Sequence, residues 1–222
     1  MITKPPTTPE DILALLKDVS RDVYSGLIDG CMKAREYFDD LSYPLNRSLA
    51  ANIARYHTKQ YIATRRSIGV PYFLKDVPNN GIAIRQEVFD IKVLKGLDGD
   101  PPSPSKSKRS VDFYNQVPPG RPVLFPGMFH PWTSAEWPQF IASKDMLDLI
   151  LFWEVDDSYS LIKLQLTCPL RAWKYGQTVR VFWKRPIDNP FDGTARRGDL
   201  NQNDPDDEDL DIAIDSEFES DN

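Results

Sequence analysis

Two histidines, His57 and His130, are the side chains of this chain best suited to acid–base chemistry at neutral pH. A general base and a general acid beside a lysine or arginine would make a metal-free hydrolase or nuclease. His57 lies next to Ile53 on the apolar side of its predicted helix, however, where a packed histidine is the commoner outcome. The sequence therefore favours a binding protein over an enzyme, and a small hydrolase that uses His57 and His130 remains the second alternative.

The sequence offers few residues for nucleophilic or metal chemistry. Cys31 falls on an apolar helical stripe and Cys168 on the apolar side of a strand, so both predict small, buried core residues. The adjacent carboxylates Asp156 and Asp157 are typical of a polar hairpin turn. No glycine-rich phosphate loop, GxSxG or HExxH motif occurs. We predict no metal site and no cofactor.

The charge of the chain is divided between two opposite segments. The formal net charge of the 222 residues is −6. Eleven acids lie from Asp199 onward, and no lysine or arginine follows Arg197, so the last 24 residues carry −11. Segment 1–198 contains all 27 basic residues and the other 22 acids, so its net charge is +5. Such asymmetry is typical of a tail that binds a partner, or of a tail that covers the basic surface of its own chain.

Within the acidic tail (199–222), an apolar stripe alternates with carboxylates. Such a segment cannot build a core, but it can add as a strand to a partner's sheet edge, or form a short helix on binding. We predict that the tail docks on a basic protein partner, as in an inhibitor, antitoxin or immunity protein; a merely solubilising tail is the alternative. The predicted partner-binding residues are Asp206, Asp207, Glu208, Asp209, Leu210, Asp211, Ile212, Ile214, Asp215 and Phe218.

A basic stripe on the third predicted helix suggests a different function. Arg55, Lys59 and Arg66 share one face at helical spacing, and Arg65 lies beside them. Such a stripe can contact phosphates, although a solvated helix face is the usual role of these charges. The alternative to tail docking is therefore a nucleic-acid-binding protein whose basic body (+5 over 1–198) is autoinhibited by its tail.

An aromatic segment, 125–137, is a possible interface. It contains Phe129, Trp132 and Trp137, and its Pro126-Gly127 and His130-Pro131 dipeptides force an irregular path. Exposed aromatic residues of this kind form ligand pockets or protein-binding hot spots. The alternative is that they plug one end of the sheet.

The elements that would position these residues are helices first and strands afterwards. A polar, proline-rich arm (1–8) precedes a helical region (9–69). Thr8 and Pro9 form a helix start, because threonine caps a helix and proline fits its first position. Apolar residues then recur at steps of three and four as far as Leu41, in one helix or in two with a break near Ser20. A further helix over about 45–67 would complete a hairpin. Its predicted packing face consists of Leu49, Ile53, Tyr56, Gln60 and Ala63.

The second region, 70–186, has the composition of an antiparallel sheet with a flexible loop at 96–110. Its clearest strands are 147–155, 160–168 and 179–183, which are joined by short turns. Every second residue of each strand is apolar, and in the second strand Ile162, Leu164, Leu166 and Cys168 form the predicted inward face. Segment 82–94 is rich in β-branched residues, and short strands are expected around Phe113 and Val123. The predicted fold class is α+β: an N-terminal helical hairpin or small bundle on a C-terminal antiparallel sheet, followed by a linker and disordered acidic tail (187–222).

Hydrophobic residues make up 41% of the chain, enough for a substantial core. The longest apolar stretches are a few residues, far below the roughly 20 that span a bilayer. The first residues lack the apolar run of a secretory signal. We therefore expect a cytoplasmic protein.

Overall fold

A computed structural model describes residues 5–64, 72–96, 98–114, 116, 141, 144–171 and 179–191. The chain divides into two compact units, Met1–Asp188 and Asn189–Asn222, and the elements below belong to the first. Several predicted features lie outside the described residues: Arg65, Arg66, the short strand around Val123, His130, the aromatic segment with Phe129, Trp132 and Trp137, and the tail residues from Asp206 to Phe218.

The described residues contain four helices: α1 (Pro9–Leu15), α2 (Lys17–Leu41), α3 (Arg47–Thr64) and α4 (Lys108–Tyr114). Thr8 caps α1, as predicted, because its side chain accepts a hydrogen bond from the Asp11 N–H at 3.1 Å. The break between α1 and α2 lies at Leu16, so the expectation of a break near Ser20 was displaced by four residues. None of these helices combines the length and apolar composition needed to cross a bilayer.

The described residues also contain six strands in one sheet, with the spatial order equal to the chain order. They are β1 (Tyr72–Lys75), β2 (Ile82–Gln86), β3 (Phe89–Lys95), β4 (Leu147–Val155), β5 (Leu161–Arg171) and β6 (Arg180–Pro186). Neighbouring strands are antiparallel except β3 and β4, which are parallel. The sheet therefore consists of two three-stranded meanders joined along β3 and β4.

The helical hairpin α2–α3 covers one face of the sheet. Alternate residues of the central strands, such as Ile91 and Leu149, point into a core shared with Leu27 of α2. The opposite face packs against α4, where Phe113 joins Phe152 in a second, smaller cluster. The fold is thus α+β, with an N-terminal helical hairpin on a mostly antiparallel sheet, which confirms the predicted class.

Small residues bring α2 and α3 into close contact. Ala50, Ala54 and Thr58 form the buried side of α3, together with Ile62. The Thr58 hydroxyl lies 3.0 Å from the carbonyl oxygen of Gly26 on α2, within hydrogen-bonding distance. Helices packed this closely leave no room for large apolar side chains between them.

This close packing overturns the predicted orientation of α3. The sequence places Leu49, Ile53, Tyr56 and Gln60 on the inward face, but Leu49 and Tyr56 are 42% and 46% exposed and Gln60 is also exposed. Ile53 alone of this set packs partly against the core. The larger residues lie outside because the helix contact selects the alanine and threonine side, a preference that a count of apolar residues does not detect.

Two further predictions of local structure were wrong. Phe113, expected in a short strand, lies in α4, whose start is capped by the hydroxyl of Ser107. Ile162, placed among the inward residues of its strand, is 59% exposed. The pairing of β4 and β5 passes from Glu154↔Lys163 to Val155↔Leu161, and this irregularity puts Leu161 against the core instead.

A cationic groove as the candidate functional site

A cavity of about 650 Å³ lies on the α4 side of β1–β3 and extends round the end of these strands to α3. Four cationic side chains line it: Arg55 from α3, Lys75 from β1, and Lys92 and Lys95 from β3. Two carboxylates, Asp76 and Asp90, also line it. We call this cavity the cationic groove, and its lining is positive by two charges.

Strand register explains how Lys75 and Lys92 come to lie on the same side of the groove. Lys75 pairs with Ala83, and Ala83 pairs with Lys92, so the three residues form one row across β1, β2 and β3. Side chains of paired residues lie on the same face of a sheet. Ala83 is small, which leaves open space between the two lysines. Asp90, two residues before Lys92 on the same face, forms an ion pair with Lys75.

An aromatic residue and a serine-rich loop form the far wall of the groove. The Lys92 ammonium lies 3.6 Å from the centre of the Phe113 ring, a cation–π contact that fixes the lysine against α4. Tyr114 donates a hydrogen bond to the Pro102 carbonyl at 2.7 Å, which holds the loop that precedes α4. Four serines of this loop and of α4 face the groove: Ser103, Ser105, Ser107 and Ser110.

The loop is also fixed at its start. The Gly99 N–H donates to the Glu154 carboxylate at 2.7 Å, and the Gly99 carbonyl accepts from the Lys184 ammonium at 2.6 Å. Its hydroxyl groups are therefore held on a braced segment, where they can donate to oxygens of a ligand.

The α3 end of the groove holds a concentration of positive charge. Arg55 donates to the side chain of Asn52, while its Nε is buried without a hydrogen-bond partner among the described residues. The Lys95 ammonium lies 4.9 Å from the centre of the Tyr159 ring. Partial burial lowers the pKa of Lys95, and the nearby charges of Arg47 and Arg55 lower it further.

Beside the groove, two carboxylates occupy neighbouring strands. Asp90 of β3 is the register partner of Asp148 of β4. Burial raises the pKa of Asp148 to about 6, and the charge of Asp90 adds to the effect, while Lys144 and the groove lysines oppose it. Asp148 is therefore a carboxyl group that titrates close to neutral pH.

The described residues that the sequence predicted as functional lie at different distances from the groove. Arg55 lines the groove and is partly buried. Lys59 lies at the margin, with its ammonium 3.8 Å from the Asp76 carboxylate. His57 contacts the Tyr56 ring edge-on, and its proposed catalytic partner lies outside the described residues.

The paired acids of the β4–β5 turn have structural roles. The Asp156 carboxylate accepts from the backbone N–H of Ser160 at 2.8 Å, and Asp157 binds Arg47 at 2.5 Å. Within the described ranges, no group of three or more His, Cys, Asp and Glu side chains is arranged to hold a metal ion. Cys31 and Cys168 are buried, as predicted.

Sequence reasoning missed Lys75, Lys92 and Lys95. A usable signal existed in β3, where Phe89, Ile91 and Val93 alternate with polar residues. Strict alternation implies that Asp90 and Lys92 share a face. The other contributors to the groove depend on strand register and on α4, which no local pattern reveals.

No protein-family model matches this chain, and no curated protein and no solved structure matches it at a significant level. The charge, shape and hydrogen-bonding groups of the cationic groove are therefore what distinguish its possible ligands. These features favour an anion that carries several oxygen acceptors.

Proposed function

We propose that this is a non-enzymatic binding protein whose folded body binds nucleic acid through the cationic groove. The observation that carries the proposal is the convergence of Arg55, Lys75, Lys92 and Lys95 on one concave surface that holds only two carboxylates. Phosphate neutralisation by such side chains supplies most of the affinity of non-specific nucleic-acid binding. A cytoplasmic location belongs to the same proposal, since nucleic acid is available there.

The dimensions of the groove favour a single strand. Its volume of about 650 Å³ falls in the range of sites that enclose a small ligand. A short stretch of single strand can enter a cavity of this size, whereas a duplex is too wide. Serine hydroxyls on a braced loop add donors for phosphate or sugar oxygens.

The test measures the binding of a short fluorescent oligothymidine by fluorescence anisotropy at several salt concentrations. We expect Lys92→Gln and Lys75→Gln each to weaken binding several-fold and to reduce the salt dependence by about one released ion per lysine. Lys33→Gln on α2 is the matched control, because Lys33 pairs with Glu36 away from the groove. Equal affinities in all four proteins would contradict the proposal.

A second candidate function rests on the acidic tail. The alternation of Leu210, Ile212 and Ile214 with carboxylates exceeds what a solubilising tail requires. It supports docking on a basic protein partner, in the manner of an inhibitor, antitoxin or immunity protein. Tagged full-length chain and tagged 1–198 would be expressed in the native host, and their bound partners compared. A protein partner that both forms retain equally would exclude the tail as the docking segment.

The hydrolase alternative has a simple test of its own. If His57 and His130 act as acid and base, the variants His57→Ala and His130→Ala should each remove any phosphodiesterase activity of the purified chain. Activity that survives both substitutions would remove this alternative.

A further inference from the structure

Arg55 and Lys95 differ from Lys75 and Lys59, two other cations near the groove, in their charge partners. Lys75 pairs with Asp90, and Lys59 with Asp76. Over the part of the chain that the structure describes, neither Arg55 nor Lys95 has a carboxylate partner: Arg55 donates to an amide, and Lys95 lies over aromatic rings.

This arrangement is unfavourable in the free protein. Both side chains are partly buried, so each has lost part of its hydration. Their like charges repel, and Arg47, which also pairs with the exposed Asp157, adds to the same positive field. The Arg55 Nε–H is also buried without an acceptor among the described residues. An anion placed between Arg55 and Lys95 would offset the lost hydration and the repulsion between the two charges.

We propose that Arg55 and Lys95 form a subsite for a phosphomonoester, the terminal phosphate of a nucleotide or of a nucleic-acid strand. The inference rests on the proposed function and names the group that this end of the groove recognises. A phosphomonoester carries a charge of about −1.5 to −2 at pH 7, which matches two cations, whereas an internal phosphodiester carries one negative charge. Its three terminal oxygens accept from the ammonium of Lys95 and from the guanidinium group of Arg55.

The experiment compares oligothymidines of equal length that end in a 5′-phosphate, a 3′-phosphate or hydroxyl groups only. We expect the full-length protein to bind one of the phosphorylated strands about tenfold more tightly than the hydroxyl strand, as two charge-assisted contacts would give. Lys95→Met and Arg55→Gln should each reduce this ratio to near one. Lys95→Arg, which keeps the charge, should preserve it.

Lys92→Gln is the matched control. It removes a groove cation outside the subsite, so it should weaken all three strands alike and leave the ratio unchanged. Circular dichroism confirms that each variant is folded. If a variant does not fold, the ratio measured for the unaltered protein and for Lys95→Arg still decides the question.

Adenosine monophosphate, used as a competitor, separates a strand end from a free nucleotide as the source of the phosphate. Strands that bind with no preference for a terminal phosphate would overturn the subsite and leave nucleic-acid binding in place. Binding of the mononucleotide alone, lost in Lys95→Met, would support the subsite and overturn the nucleic-acid proposal. Binding of neither would overturn both.

Discussion

At the scale of single residues, Asp148 is the clearest case of a side chain whose surroundings alter its chemistry. It lies partly buried beside Asp90, its neighbour on the adjacent strand. Burial is the main cause of its raised pKa of about 6, against an ordinary value of 3.8. The charged form is therefore less favourable in the folded chain than in the unfolded one, and this costs stability at neutral pH.

The first prediction follows from the raised pKa of Asp148. Since the folded protein binds the proton more tightly, the contribution of Asp148 is favourable below about pH 4 and is lost as the pH rises to about 6. Asp148→Asn should therefore raise the free energy of unfolding at pH 7 by about 1–2 kcal/mol, after allowance for solvent screening. Urea denaturation at pH 4 and pH 7 measures the difference.

The charges that face Asp148 limit this effect. Lys144, Lys92 and Lys75 favour the ionised carboxylate, whereas Asp90 opposes it. Asp145→Asn, at an exposed carboxylate nearby, is the matched control. A gain in stability at pH 7 that is no larger for Asp148→Asn than for Asp145→Asn would show that burial is not the cause.

The second prediction concerns the two thiols. Burial raises the pKa of Cys31 to about 12 and that of Cys168 well above its usual value. Because the thiolate is the reactive form, neither cysteine should react with a disulfide reagent in the folded protein, and both should react after unfolding in urea. A thiol that reacts at once under native conditions would contradict the burial of that residue.

At the scale of elements, the contact between α2 and α3 depends more on Gly30 than on Gly26. A Cβ on Gly30 would overlap the carbonyl oxygen of Ala54 and lie 2.7 Å from the Thr58 hydroxyl. A Cβ on Gly26 would lie 3.2 Å from the Thr58 methyl group, a tight contact that a small shift can accommodate. The two positions thus give a matched pair within one helix.

The third prediction uses this pair. Gly30→Ala should lower the free energy of unfolding by about 2–3 kcal/mol, because backbone must move apart to admit the methyl group. Gly26→Ala should change it by less than about 1 kcal/mol, because the higher helix propensity of alanine offsets the tighter contact. Thermal or urea denaturation compares them. Equal losses at the two positions would mean that the helices are not held this closely at Gly30.

The same helix pair shows what sequence can and cannot predict. The cap at Thr8 and the strands β4, β5 and β6 follow from local patterns, namely capping chemistry and apolar residues at every second position. The inward face of α3 does not, because tight backbone contact favours small residues over large apolar ones. Likewise, the parallel pairing of β3 and β4 is a non-local feature with no sequence signal. The cationic groove could not be predicted for the same reason, because it is formed by residues that non-local strand pairing and helix packing bring together.

At the scale of the whole molecule, the division of charge gives the fourth prediction. Segment 1–198 carries +5 and the tail −11. If the tail competes with nucleic acid for the basic body, the chain 1–198 should bind oligothymidine more tightly than the full chain at low salt, and the difference should shrink as salt rises. Anisotropy titrations of both forms measure it. Identical affinities at low salt would contradict autoinhibition and leave the tail to its partner-docking role.

The parallel junction of β3 and β4 has a consequence for biosynthesis. The strands are adjacent in the sheet, yet β3 ends at Lys95 and β4 begins at Leu147. A ribosome adding roughly 5–20 residues per second needs several seconds to make that connection. During this interval β3 is an open edge of a nascent sheet, able to pair with a neighbouring chain. Asp90, Lys92 and Lys95 put charge along that edge, and charged side chains on an edge strand oppose aggregation. Residues of the cationic groove would therefore also protect the chain while it is being made.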